Sequence, residues 1–161
     1  VNLPAKDKMS KPKYQEITKE NIQKYALDND GGTIEVISGA YQDTPGAAST
    51  FTPVHLQNAK LNAGGKAKFS FPPHYNTALL VIEGSIKVND EKTVATDNFL
   101  LFKNEGEDFT IEALEQSVVL VLSGEPILEP IAAHGPFVMN TRDEIIQAFE
   151  DVNLGKFGYL D

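Results

Sequence analysis

The chain has 161 residues, 41% of them hydrophobic and 23% charged, with no cysteine and a formal net charge of −9 from 14 basic and 23 acidic residues. That is one domain's worth of chain with an ordinary globular composition, so disorder over most of its length, disulfides, thiolate ligands and a cysteine nucleophile are all excluded. The acidic balance disfavours contact with phosphate backbones and no run of about 18 apolar residues is available to cross a bilayer, so neither nucleic acid nor membrane is expected as a partner, and a reducing, cytoplasmic location is expected.

The opening Val1-Asn2-Leu3-Pro4-Ala5-Lys6 lacks the apolar stretch of a secretory leader and an initiator Met, and a fragment or processed product is expected. Lys6, Lys8, Lys11 and Lys13 cluster in it and are read as a solvated linker. Residues 1–32 as a whole form a linker and lead-in segment, with one helix-like stretch from Thr18 to Ala26 closed by the turn signal Asp28-Asn29-Asp30-Gly31-Gly32.

From residue 33 to 123 the texture changes to short Val-, Ile-, Phe- and Thr-rich runs bounded by Gly, Pro, Asn or Asp. The expected strands are Thr33–Ile37, Thr50–Gln57, Lys66–Phe71, Ala78–Glu83, Ser85–Val88, Asn98–Phe102, Asp108–Ala113 and Ser117–Leu122. In Ala67-Lys68-Phe69-Ser70-Phe71 the phenylalanines share one face and Lys68 and Ser70 the other. Leu79–Ile82 and Val118–Leu122 are apolar on both faces and are expected to be central strands covered on both sides. Many short strands at this spacing predict an all-β sandwich or small barrel.

Residues 124–161 form a C-terminal extension. In it Thr141-Arg142-Asp143-Glu144 has the form of a capping box, and a helix over about 142–152 should place Ile145, Ile146, Ala148, Phe149 and Val152 on one face, with Gly155 just past its end. Gly135-Pro136-Phe137-Val138-Met139 reads either as a docking strip or as an extended strand packed on its own barrel.

Three stretches carry a family resemblance. Val1–Met9 with Pro12-Lys13-Tyr14-Gln15 resembles the linker between the two barrels of pirins; Leu80-Val81-Ile82-Glu83-Gly84-Ser85-Ile86 resembles a cupin hairpin; Gly124–Ile131 with Gly135–Thr141 and Gly155-Lys156-Phe157-Gly158 resembles the pirin C-terminal signature. The resemblance implies a cupin double-stranded, jelly-roll-like β-barrel with one C-terminal α-helix, the second barrel of a bicupin. It further implies a preceding barrel that holds Fe(II) through three histidines and a glutamate. The parent would then be a quercetin 2,3-dioxygenase-like enzyme or a pirin-type transcriptional and redox regulator. The implied partner is that N-terminal barrel, and a face bared by its absence should make the fragment homodimerise.

A metal-bearing cupin shows a His-x-His pair, a Glu and a later His, because alternate strand residues point into one lumen. None of His55, His74 and His134 has a histidine two residues away. Counted back from Gly84, the carboxylate position falls on or near Thr77 and the histidine pair near Phe71 and Pro73, while the later histidine should stand near Asp108 or Phe109. No metal, cofactor or catalytic residue is therefore expected in this chain. His74 and Tyr75, in Pro72-Pro73-His74-Tyr75-Asn76, are the candidate binding residues at the barrel mouth; His74 also reads as a loop histidine bonded to backbone or water, and His55 and His134 read as non-functional. Glu105, Glu107, Asp108, Glu112 and Glu115 read as a solvated acidic face.

Overall fold

The computed structural model describes residues 2–11 and 13–158. In chain order the strands are β1 (Gln23–Ala26), β2 (Gly32–Ser38), β3 (Ala40–Tyr41), β4 (Thr44–Pro45), β5 (Val54–Leu61), β6 (Lys66–Ser70) and β7 (Asn76–Glu83). They continue with β8 (Ser85–Val88), β9 (Lys92–Ala95), β10 (Phe99–Leu101), β11 (Asp108–Ala113), β12 (Ser117–Gly124), β13 (Ala132–His134) and β14 (Phe137–Met139), and one helix, α1 (Arg142–Asn153), follows. The chain divides into two compact units: Tyr14–Pro126, and the residues before Tyr14 together with those from Ile127 onward.

Unit Tyr14–Pro126 is built from two sheets whose strands pair antiparallel, in the orders β1-β2-β5-β12-β7-β10 and β6-β11-β8-β9. This is the cupin jelly-roll arrangement. Period-two alternation sends Ile34 and Val36, Ala59 and Leu61, Leu79 and Val81, Val119 and Val121 inward from the first sheet. Ala67 and Phe69, Ile86 and Val88, and Phe109 and Ile111 meet them from the second, and all are buried. Gly84, at φ +76°, makes the sharp β7–β8 corner; a side chain there would collide with the Gln116 carbonyl and the Ser117 hydroxyl.

Several expectations need correction. Thr18–Ala26 is not helical: its last four residues form edge strand β1, paired from Gln23↔Val36 to Ala26↔Thr33, and Tyr25 stacks edge-on against Tyr41 at 5.1 Å. Sheet pairing and aromatic packing override a weak local helix preference. The strand expected at Thr50–Gln57 begins at Val54 and runs to Leu61. Pro53 lies just before it and has no N–H to donate, while Asn58 and Lys60 point outward as Ala59 and Leu61 point in. β9 was not expected from so polar a run; only Val94 of its four residues is buried. β12 is central, bonded to β5 and β7, yet Val118, Leu120 and Leu122 are only half-buried and Ile82 of β7 is exposed, so the outer face of this sheet is incompletely covered.

The other unit has little interior. Ala5 N donates to Glu129 Oε2 (2.7 Å), Asn140 Nδ2 donates to the same oxygen (2.9 Å), and Lys8 Nζ donates to the Val138 carbonyl (3.1 Å), pinning the first segment to the hairpin β13–β14. The Phe137–Met139 stretch therefore pairs with Ala132–His134 and is not a strand of the barrel sheets. The capping box is formed: Glu144 N donates to Thr141 Oγ1 (3.2 Å) and Thr141 N to Glu144 Oε2 (2.9 Å), and Gly155 takes φ +69° beyond the helix end. The five apolar helix residues lie on one side of the helix, as their spacing predicts, but that side is only partly covered. Ile145 and Ala148 are buried, whereas Ile146, Phe149 and Val152 are exposed. No described helix is long and apolar enough to cross a membrane.

Candidate functional site at the barrel mouth

Three neighbouring strands bring a polar row to one end of the barrel interior. Ser123 on β12 stands opposite His55 on β5 and Thr77 on β7. Thr77 and Ser123 are both buried, and their hydroxyls hydrogen-bond at 2.8 Å. His55 Nδ1 accepts from Ala40 N at 3.5 Å, and its ring lies 4.9 Å from Phe71 and 6.2 Å from Tyr75. Burial holds the imidazole's pKa below its usual value, with the contact to Ala40 acting the other way, so His55 is neutral at neutral pH. Two register pairs deeper, Gln57 is fully buried; its Nε2 donates to the Ala40 carbonyl at 2.8 Å while its Oε1 has no partner among the described residues. His55 and Gln57 together grip the backbone of Ala40, where the chain turns after Gly39 at φ +73°.

Beside this row, aromatic side chains fill the mouth. Phe109 is the hub: its ring centroid lies 4.5 Å from Phe102, 5.1 Å from Phe69 and 6.2 Å from Phe71. The space that remains is a cavity of about 30 Å³ bordered by Phe71, Pro73, Tyr75, Thr77, Phe102 and Phe109. That is room for a water molecule or two. The positions at which a metal-bearing cupin would place its ligands (Phe71, Pro73, Thr77 and the Asp108–Phe109 pair) all border this one cavity.

Of the two candidate binding residues, Tyr75 borders the cavity and His74 does not. The turn is held by Tyr75 N donating to the Pro72 carbonyl (3.0 Å) and Asn104 Nδ2 donating to the Tyr75 carbonyl (2.9 Å). Burial, and then the charge of Glu125, raise the Tyr75 phenol pKa, so it stays protonated and can donate. His74 stands edge-on to Tyr75 at 4.9 Å, exposed, with Nε2 3.9 Å from Glu125 Oε1. At that distance and exposure the pair contributes little. Glu105, Glu107 and Glu115 are exposed. Asp108 pairs with Lys68 at 2.6 Å and Glu112 with Lys66 at 3.1 Å. The bonds from Lys68 and then Ser70 lower the Asp108 pKa, the opposite of what a general base working near neutrality needs.

Among the described residues no three His, Asp or Glu side chains gather closely enough to share a metal ion. The iron of a metal-bearing cupin therefore does not fit the donor set at this mouth: two aromatic rings and a proline offer it nothing, the Thr77 hydroxyl is spent on Ser123, and the one carboxylate among these positions, Asp108, is paired with Lys68 at 2.6 Å. The row His55–Ser123–Thr77 was missed from sequence. Each residue lies on an inward-alternating position, but their meeting depends on the register of three strands that are distant in the chain.

The family model described as the pirin C-terminal cupin domain matches residues 56–158. A crystal structure titled quercetin 2,3-dioxygenase from Acinetobacter baumannii is 42% identical, with a TM-score of 0.88, and the match covers 100% of this chain and 56% of that one. A pirin-like protein of Caulobacter vibrioides is 38% identical over 160 residues, covering 98% of this chain and 56% of its own. Human pirin is 33% identical over 163 residues, covering 99% of this chain and 56% of its own. The chain spans 54% to 62% of the length of the first curated relatives it matches.

Proposed function

We propose that this chain, which belongs to the family of pirin C-terminal cupin domains, is the metal-free half of a two-barrel protein whose other half carries iron. The observation that supports this most is the packing of the mouth, where the positions that would hold an ion are taken by Phe71, Pro73, Thr77 and Phe109 around a water-sized void. A non-haem iron site needs imidazole and carboxylate donors with open positions for substrate or dioxygen. Among the described residues that border this mouth there is no imidazole, the carboxylate of Asp108 is paired with Lys68, and the void is water-sized. Its own residues shape, brace or cover the site of the partner barrel, and Fe(II) belongs to the preceding one.

The parent protein is read as a quercetin 2,3-dioxygenase-like oxidoreductase, an inference supported by the name of the Acinetobacter baumannii relative. A second reading is a non-enzymatic interaction domain of a pirin-type transcriptional or redox regulator. It is favoured by the many exposed apolar side chains outside the barrel unit, among them Leu128, Ile131, Ile146 and Phe157. The test is made on the parent gene. A His-x-His followed by a His-x-Glu in the preceding barrel, with iron-dependent quercetin cleavage by the full protein, supports the enzyme. The same ligands without turnover favour the regulator, and no such ligands would sink the iron assignment.

A further inference from the structure

The barrel unit has more room beside its seam than at its mouth. β1 and β6 are each the edge strand of their sheet, and the two sheets do not pair with each other there. Tyr41 bridges the gap, its ring edge-on to Tyr25 of β1 at 5.1 Å and to Phe69 of β6 at 5.2 Å. Beside Tyr41 lies a cleft of about 470 Å³, against about 30 Å³ at the mouth. That size falls within the roughly 300–1,000 Å³ of small-molecule sites.

The turns that border the cleft are fixed. In the turn after β1, Gly31 N donates to the Asp28 carbonyl (3.0 Å), Asn62 N to the Gly31 carbonyl (3.1 Å) and Asn62 Nδ2 to the Asp30 carbonyl (2.7 Å). Gly65 is pressed so closely against this turn that a β-carbon there would collide with the Gly31 carbonyl. The turn presents Asn29 to the cleft, and the β3–β4 turn presents Gln42. Both residues are exposed and left-handed, at φ 53° and 49°, and neither side-chain amide has a hydrogen-bond partner among the described residues. Non-glycine residues held in this region carry strain, and such strain collects at ligand clamps.

The lining decides the class of ligand. Lys66 and Lys68 border the cleft, but each is neutralised, by Glu112 at 3.1 Å and by Asp108 at 2.6 Å, and Asp28 adds a carboxylate. An anion therefore finds no net positive charge. An apolar molecule would strip water from amides and a carboxylate and give nothing back. Groups that both donate and accept match this lining best. Burial raises the pKa of the Tyr41 phenol, with the backbone N–H of Lys68 at its oxygen acting the other way, so it stays protonated and keeps a proton to donate.

We propose that the seam cleft binds a small, neutral, polyhydroxylated molecule of about one sugar ring, held at its hydroxyls by the amides of Asn29 and Gln42 and by the Tyr41 phenol. The proposal is independent of where iron resides in the parent protein.

The test is a titration of the 161-residue chain with D-glucose, D-galactose, D-mannose and myo-inositol, followed by the amide chemical shifts in NMR. At least one of them should move the amides of Asn29, Gln42 and Lys66 saturably, with a Kd of about 10 mM or below. Gln42→Gly removes one amide and relieves the left-handed strain, so it should keep or raise Tm while weakening binding about five- to tenfold. Tyr41→Phe keeps the ring, removes the donor and should weaken binding by a similar factor. No saturable shift with any of these molecules would overturn the proposal, as would binding undiminished in both variants. Inorganic phosphate moving the same amides while the sugars do not would make the lysines the recognising groups and overturn the assignment of a neutral ligand.

Discussion

Replacing Phe109 with alanine removes the ring at the centre of the mouth. Phe109 is 5% exposed, pairs with Phe69 across β11 and β6, and has Phe69, Phe71 and Phe102 within 6.2 Å centroid to centroid. Burying about 150–250 Å² at about 25 cal/mol per Å² is worth roughly 4–6 kcal/mol, of which the remaining methyl keeps a minor part. Phe→Ala changes in cores cost about 3–5 kcal/mol. Here the new void joins the existing 30 Å³ cavity at the mouth, where water can enter, so the lower end, about 3 kcal/mol, is expected. Urea unfolding followed by circular dichroism should show that loss, with a fall in Tm of about 6–12 °C at this chain length. Phe99→Ala, at 61% exposure, is the matched control and should change stability by less than about 0.5 kcal/mol. A Phe109→Ala loss below about 1 kcal/mol would refute the account of the mouth as a packed aromatic plug.

Glu35 is 7% exposed and is held by Lys60 (2.9 Å), Asn58 (2.9 Å) and Lys24 (3.3 Å); burial alone would raise its pKa, but these bonds more than offset it and lower it. Because the folded pKa is depressed, the stabilisation is complete above the unfolded value of about 4.3 and is lost as pH falls through the folded value; Glu35→Gln should cost about 1–2 kcal/mol at pH 7 and flatten the stability profile below about pH 4, read by denaturant titration across pH. Gly84→Ala forces a left-handed residue against Gln116 and Ser117 and should cost about 3 kcal/mol in the same assay. Thr141→Ala removes the helix cap at a local cost of about 1 kcal/mol, read as faster amide exchange in Arg142–Asn153, with the barrel's melting unchanged.

The barrel was legible where local chemistry and tertiary demand coincide. Ser85–Val88 and Asp108–Ala113 have the expected bounds because their inward residues are apolar and turn residues such as Asn89-Asp90 punctuate them. The capping box was legible because its two reciprocal bonds need only residues 141 and 144. Tertiary information decided the rest. β1 is a strand because β2 offers it an edge; β5 runs on to Leu61 because β2 and β12 pair with it there. The α1 stripe was legible as a face but not in its burial: spacing does not say that Ile145 and Ala148 are covered while Phe149, although it meets His134 and Phe137 of the hairpin, and Ile146 and Val152 stay exposed. At the site, counting from Gly84 identified the residues that border the mouth cavity, but not the polar row across it, which exists only once His55, Ser123 and Thr77 are in register.

The most direct test is metal binding by the purified chain. After equilibrium dialysis against ferrous, manganese or copper ions and a return to metal-free buffer, elemental analysis should find far less than one ion per chain, with no flavonol cleavage. One tightly held ion per chain, lost when His55 or His74 is replaced, would mean that donors converge where the account places a plug of aromatic rings.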